Sequence, residues 1–171
     1  MSAIVAEPIL TRRLTLLPLR VEYADEMAIV LADPDLHTFT GGSPLTPRAL
    51  RTRYERLVAG AGDPAVSWCN WVIKLLDPGC LAGTVQATIS AADGPVAEIA
   101  WVVGTPWQGR GIATEAARAL IAWLGQQSVR TVIAHIHPSH QASAAVAAAS
   151  GLTPTGHRQE GEIRWRLLMP E

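Results

Sequence analysis

Residues 107–116 read Trp107-Gln108-Gly109-Arg110-Gly111-Ile112-Ala113-Thr114-Glu115-Ala116, and this stretch decides how the rest of the chain is arranged. Two glycines separated by one residue let the backbone pass close to a ligand and turn successive amides toward it. The next segment is helical: Ala117, Leu120, Ile121 and Leu124 give residues 114–126 one apolar face. A helix N-terminus carries partial positive charge, so this junction suits a diphosphate, and Arg110 adds a charge-assisted donor. Two familiar phosphate loops are excluded. The stretch lacks the Gly-Lys-Ser/Thr of a Walker loop, and Thr114 stands where a dinucleotide fingerprint has its third glycine.

Upstream of the loop, residues 96–103 alternate as a strand. Ala97, Ile99, Trp101 and Val103 share one face; Val96, Glu98, Ala100 and Val102 share the other. Residues 71–75 and 81–89 flank the turn Asp77-Pro78-Gly79, and Asp93-Gly94-Pro95 turns into the 96–103 strand, which predicts an antiparallel meander. Downstream, residues 131–136 form an apolar strand, so strand, helix and strand make a parallel crossover. Residues 141–150 form an Ala-rich helix closed by Gly151. Residues 156–169 read as a final hairpin with Ile163, Trp165, Leu167 and Met169 on one face.

The N-terminal part supplies a strand at 13–19, a helix at 21–32 with Met27, Val30 and Leu31 inward, and a loop over 33–47. Thr46 caps a second helix whose first residue is Pro47. Its apolar stripe is Leu50, Tyr54, Leu57 and Val58, and Gly60 and Gly62 end it. The fold class is α/β: one domain over residues 1–171, with a mixed, mostly antiparallel sheet flanked by helices.

Bulk properties agree with one enzyme-sized domain. The chain has 171 residues, of which 49% are hydrophobic. A chain of this size buries roughly 70% of its unfolded surface, enough for a core without disulfides. Basic and acidic residues number 14 and 15, for a net charge of -1, which gives no reason to expect nucleic acid or an anionic membrane as partner. Cys69 and Cys80 match no metal spacing and read as free thiols in a reducing compartment. Residues 1–13 lack a signal-peptide pattern, and no apolar run approaches the roughly 20 residues of a membrane span. A cytoplasmic location is expected.

The run Gln108-x-x-Gly111-x-Ala113 resembles the Q/R-x-x-G-x-G/A signature of the GNAT N-acetyltransferase superfamily. The strand before it and the long helix and strand after it match that family's order. Ser150-Gly151-Leu152 and Gly156 resemble the exit from the family's second conserved helix. Thr11-Arg12-Arg13-Leu14-Thr15-Leu16 and Glu98-Ile99-Ala100-Trp101 are similar to the branch that acetylates ribosomal-protein N-terminal alanines.

The resemblance implies acetyl-CoA as co-substrate, no metal, and a pair of splayed central strands. Val102 and Val103 then hold the pantetheine arm and steady the oxyanion. The amides of Gly109, Gly111, Ile112 and Ala113 surround the diphosphate, with Gln108, Arg110 and Thr114 alongside. Ser143 matches a family serine, and His140 stands where the family has asparagine. Many relatives protonate the departing thiolate with a tyrosine in this helix. None is present, so Ser143 takes that role by resemblance. Glu98 takes the role of general base; read from the residues alone, it is a carboxylate in an apolar row, either solvated or held in a site.

The implied reaction is direct acetyl transfer to an amine of a small molecule or a peptide N-terminus. The alternative is a non-catalytic acyl-CoA-binding module of the same fold, and a homodimer is left open. His135-x-His137-x-x-His140 tempts toward zinc, but no carboxylate or cysteine lies near in sequence to complete a ligand set.

Overall fold

Alternating side chains fix the sheet. In the computed structural model, which describes residues 3–91 and 94–170, Val85, Ala87 and Ile89 are buried while Gln86 is exposed, as the period of two requires. The chain runs β1 (Ile9–Leu10), β2 (Leu14–Pro18), α1 (Ala24–Val30), α2 (Pro47–Ala59), β3 (Val66–Leu75), β4 (Leu81–Ser90), β5 (Val96–Val103), α3 (Ile112–Gln126), β6 (Thr131–Ile136), α4 (Gln141–Ala149), β7 (Thr153–Gln159) and β8 (Glu162–Leu168). The sheet is 8-stranded in the order β1-β2-β3-β4-β5-β6-β8-β7. Among the described residues only β5 and β6 pair in parallel, through the crossover helix α3; the other pairs are antiparallel. Asp93 of the expected turn, and residues 1 and 2 of the N-terminal stretch, lie outside the described residues.

Each face of the sheet has its own cover. Helix α3 packs Ala116, Leu120 and Leu124 on Val85, Ala87, Ala97 and Ile99. On the opposite face, Val72 and Leu81 meet Met27, Leu50 and Tyr54 of α1 and α2. Thr46 Oγ1 accepts a hydrogen bond from Ala49 N at 3.1 Å, so the predicted cap of α2 is formed.

Some boundaries and faces differ from expectation. The helix predicted over 21–32 opens with a 3-10 turn at Val21–Tyr23 and is α-helical only over Ala24–Val30. Val58 is 54% exposed, because the stripe of α2 that meets α1 and the sheet runs through Leu50 and Tyr54. Strand β3 begins at Val66 rather than at Trp71, and β7 begins at Thr153 rather than at Gly156. Helix α3 starts at Ile112, with Gly111 as its left-handed N-cap.

One interruption in the sheet creates room for a site. Strands β5 and β6 pair over Val96, Ala97 and Glu98 with Thr131, Val132 and Ile133, and the ladder ends there although both strands continue. The edge of β5 beyond Glu98 keeps its pairing with β4 and has no ladder partner on the β6 side.

Candidate active site

The opening between β5 and β6 leads into a cavity of about 1170 Å³. Val102, Val103, Gln108, Gly109, Gly111, Ile112, Ala113, Thr114, His140 and Ser143 all line it. The open strand edge, the glycine loop and the start of α4 therefore share one continuous space. Glu98 and Arg110 are the sequence candidates outside that lining.

Local geometry explains the loop. Gly109 and Gly111 sit at φ 74° and 76°, the left-handed region that favours glycine. A Cβ at Gly109 would meet nothing within 4 Å, so open space lies over it, whereas at Gly111 it would come to 3.4 Å from the Arg13 guanidinium. Gln108 is already engaged: its Nε2 donates to the Val103 carbonyl at 3.0 Å and ties the loop to the end of β5. Thr105 Oγ1 donates to Asp33 Oδ2 at 2.7 Å, and this bond, with the Asp35 amide, holds the Asp33 carboxyl below its usual range.

At the start of α4, Ser143 Oγ and His140 Nε2 lie 3.3 Å apart. Phe39, from the loop between α1 and α2, stacks on the His140 ring at 4.4 Å and 17°, and meets His137 at 5.1 Å. Burial, and then the charge of His137, hold the His140 pKa below its ordinary value and favour the neutral imidazole. His137 Nδ1 accepts from Ser139 N at 3.0 Å. The histidines thus have separate partners, and among the described residues no group of three or more His, Cys, Asp or Glu could hold a metal ion.

Glu98 closes the β5–β6 ladder and pairs across it. Its Oε2 lies 2.9 Å from His135 Nδ1, and Arg164 Nε donates to His135 Nε2 at 3.1 Å. The Arg164 bond leaves the imidazole hydrogen on Nδ1, where it donates to Glu98. His135 is 5% exposed and lines the cavity; Glu98 is 48% exposed, one same-face position before the cavity-lining Ala100. Sequence reading missed Glu162, a carboxylate at the head of β8 that does line the cavity. Its strand shows no chemical motif, and only the pairing of β8 with β6 carries it to this end.

Between α2, the 33–46 loop and the sheet lies another part of the cavity, lined by Leu36, Leu50, Leu57, Asn70 and Gln86. Tyr54 is buried beside it, and burial pushes its phenol up to about 12. Its hydroxyl, Trp101 Nε1 and His37 Nε2 are buried without a hydrogen-bond partner among the described residues.

Residues 13–153 match the family model of the acetyltransferase (GNAT) domain. The chain belongs to the GNAT family. Solved GNAT structures share its fold. The ribosomal-protein-S5-alanine acetyltransferase of Vibrio fischeri has a TM-score of 0.82 at 17% identity, covering 96% of this chain and 98% of that one. An acetyltransferase of Agrobacterium tumefaciens has a TM-score of 0.72 at 26% identity, with 97% and 96% covered. A ribosomal L7/L12 α-N-protein acetyltransferase in complex with coenzyme A has a TM-score of 0.73 at 14% identity, with 95% and 98% covered. No curated protein sequence matches the chain.

As a GNAT N-acetyltransferase the chain uses acetyl-CoA, and its own residues fit that group. Both left-handed glycines line the cavity, Gly109 with open space over it, and the cavity runs without a break to the unpaired edge of β5. No helix of the described residues is long and apolar enough to cross a membrane.

Proposed function

We propose that this GNAT enzyme transfers acetyl directly from acetyl-CoA to an amine, on a small molecule or a peptide N-terminus, seated in the part of the cavity beside α2. The observation that carries this reading is the early end of the β5–β6 ladder, which joins the glycine loop, Ser143 and the acceptor half in one space. Acetyl-CoA supplies the thioester: the amine nitrogen bonds to the acetyl carbon as the carbon–sulfur bond breaks.

The chain's residues then divide the work. Glycine-loop amides and the α3 N-terminus face the diphosphate, with Arg110 and Thr114 alongside. Backbone groups at Val102 and Val103 meet the pantetheine arm and the developing oxyanion. Glu98 takes the proton leaving the amine through a water at the cavity rim. Ser143, held by His140, gives one to the thiolate, and His140 also meets the coenzyme. Holding both substrates in line supplies much of the rate without an acyl-enzyme.

A second assignment of the base rests on Glu162, a residue of the cavity lining where Glu98 is not. Release of free thiol from acetyl-CoA across a panel of amines and peptides tests the whole reading. Amine-dependent release with a matching acetylated product supports it. Tight coenzyme binding with no release for any amine favours the non-catalytic module.

A further inference from the structure

The segment Thr11-Arg12-Arg13-Leu14 lies far in sequence from the glycine loop, yet Arg13 reaches that loop and Thr11 the helix that follows it. Thr11 N donates to Leu14 O at 2.8 Å, and Leu14 N donates to Thr11 Oγ1 at 3.0 Å, which closes a tight turn between β1 and β2. That turn aims two residues at one carboxylate in the first turn of α3. Thr11 Oγ1 donates to Glu115 Oε2 at 2.6 Å and Arg13 N to the same oxygen at 2.9 Å. Arg13 Nε donates to Glu115 Oε1 at 2.7 Å, and Arg13 Nη1 reaches the Arg110 carbonyl at 2.9 Å.

We propose that Arg13 is a positioning residue for the diphosphate of acetyl-CoA, acting through the Arg110–Gly111 peptide that it holds. This rests on the diphosphate lying against the glycine loop, as proposed above. A trans peptide is planar, so its carbonyl and its N–H point in opposite directions. By fixing the Arg110 carbonyl on its own side, Arg13 turns the Gly111 amide away from itself, toward the cavity that Gly111 lines. Between two left-handed glycines that peptide has little else to hold it.

Charge gives Arg13 a second task. Glu115 stands at the N-terminal end of α3, where an uncompensated carboxylate would repel an incoming diphosphate. Arg13 pairs it directly and takes up both its oxygens. Lysine cannot reproduce this: the guanidinium spans Glu115 and Arg110 at once, whereas an ammonium is one compact donor group.

The test separates positioning from mere stapling by using ligands with and without the diphosphate. Calorimetry of coenzyme A should show Arg13→Gln binding about tenfold more weakly, as expected for losing a hydrogen bond to a charged group. Turnover of S-acetylpantetheine, which lacks the diphosphate, should stay within about twofold of wild type on the same reasoning. Arg13→Lys should also bind coenzyme A more weakly than wild type. Equal losses on both ligands would make Arg13 a structural staple only, and wild-type affinity in either variant would overturn the proposal. A wild-type enzyme that does not prefer acetyl-CoA over S-acetylpantetheine would instead sink the diphosphate placement itself, whatever Arg13 does.

Discussion

Glu98 and Glu162 divide between them what a general base needs. Glu98 is built in: its carboxylate is fixed by His135, which Arg164 holds in turn, and it sits where the central strands part. Glu162 has the better access, since it borders the cavity itself. Same-face neighbours on a strand are roughly 6.6 to 7 Å apart, so under the proposed reaction an amine over Ala100 would stand about one water from Glu98. Glu98→Gln should therefore lower turnover by about 10²- to 10⁴-fold with coenzyme affinity unchanged, and the deficit should shrink at higher pH as the amine arrives deprotonated. Steady-state rates for Glu98→Gln and Glu162→Gln, with the same acceptor, decide between them; a full-sized loss in Glu162→Gln alone moves the role to Glu162. The sequence made Glu98 legible because it interrupts an apolar row. It could not show Glu162 or the His135 bridge, because these contacts arise from strand pairing between distant segments.

Two glycines show how one residue type serves different elements. Gly83 lies where β4 pairs with the end of β5, and a Cβ there would fall 2.2 Å from the Val102 carbonyl oxygen. Gly83→Ala must push these backbones apart, and thermal melts should show a loss of about 1–3 kcal/mol, the usual cost of overpacking. At Gly111 the conformation is the main constraint, since a Cβ would meet only the end of the Arg13 side chain, at 3.4 Å. Gly111→Val strains a left-handed position by about 1–3 kcal/mol and turns the amide, so calorimetry should show coenzyme binding abolished in a protein that still folds. Normal affinity in that variant would end the phosphate-loop reading. The elements themselves were legible wherever burial is one-sided: β4, β5, β6 and α3 each carry a clean apolar period. Strand β7 is exposed along almost all its length, so it offers no such pattern, and its start was misplaced. Likewise Ser67, Trp68 and Asn70 blur the opening of β3, which becomes a strand because β4 is there to pair with it.

Across the whole molecule, the tie from the β1–β2 turn to α3 makes stability depend on one ionised group, Glu115. Burial by itself would raise the Glu115 pKa, but hydrogen bonds from Thr11 and from the Arg13 side chain and amide, with the Arg13 charge, bring it below its ordinary value. A carboxylate whose pKa is lower folded than unfolded stabilises the fold above the ordinary carboxylate range. That stabilisation fades as pH falls through the unfolded and then the folded value. Wild-type protein should therefore lose stability on acidification below the ordinary glutamate range, with its Glu115 contribution gone once that group is protonated in the fold. Glu115→Gln keeps a similar shape, cannot ionise, and should start less stable at neutral pH. Its stability should fall less over the same acid window, so that the two melting curves converge as pH drops. Melting midpoints of both proteins from neutral pH into the acid range provide the measurement. Parallel curves, with a constant gap at every pH, would mean that Glu115 acts through packing and that the charge pairing with Arg13 contributes nothing to the fold.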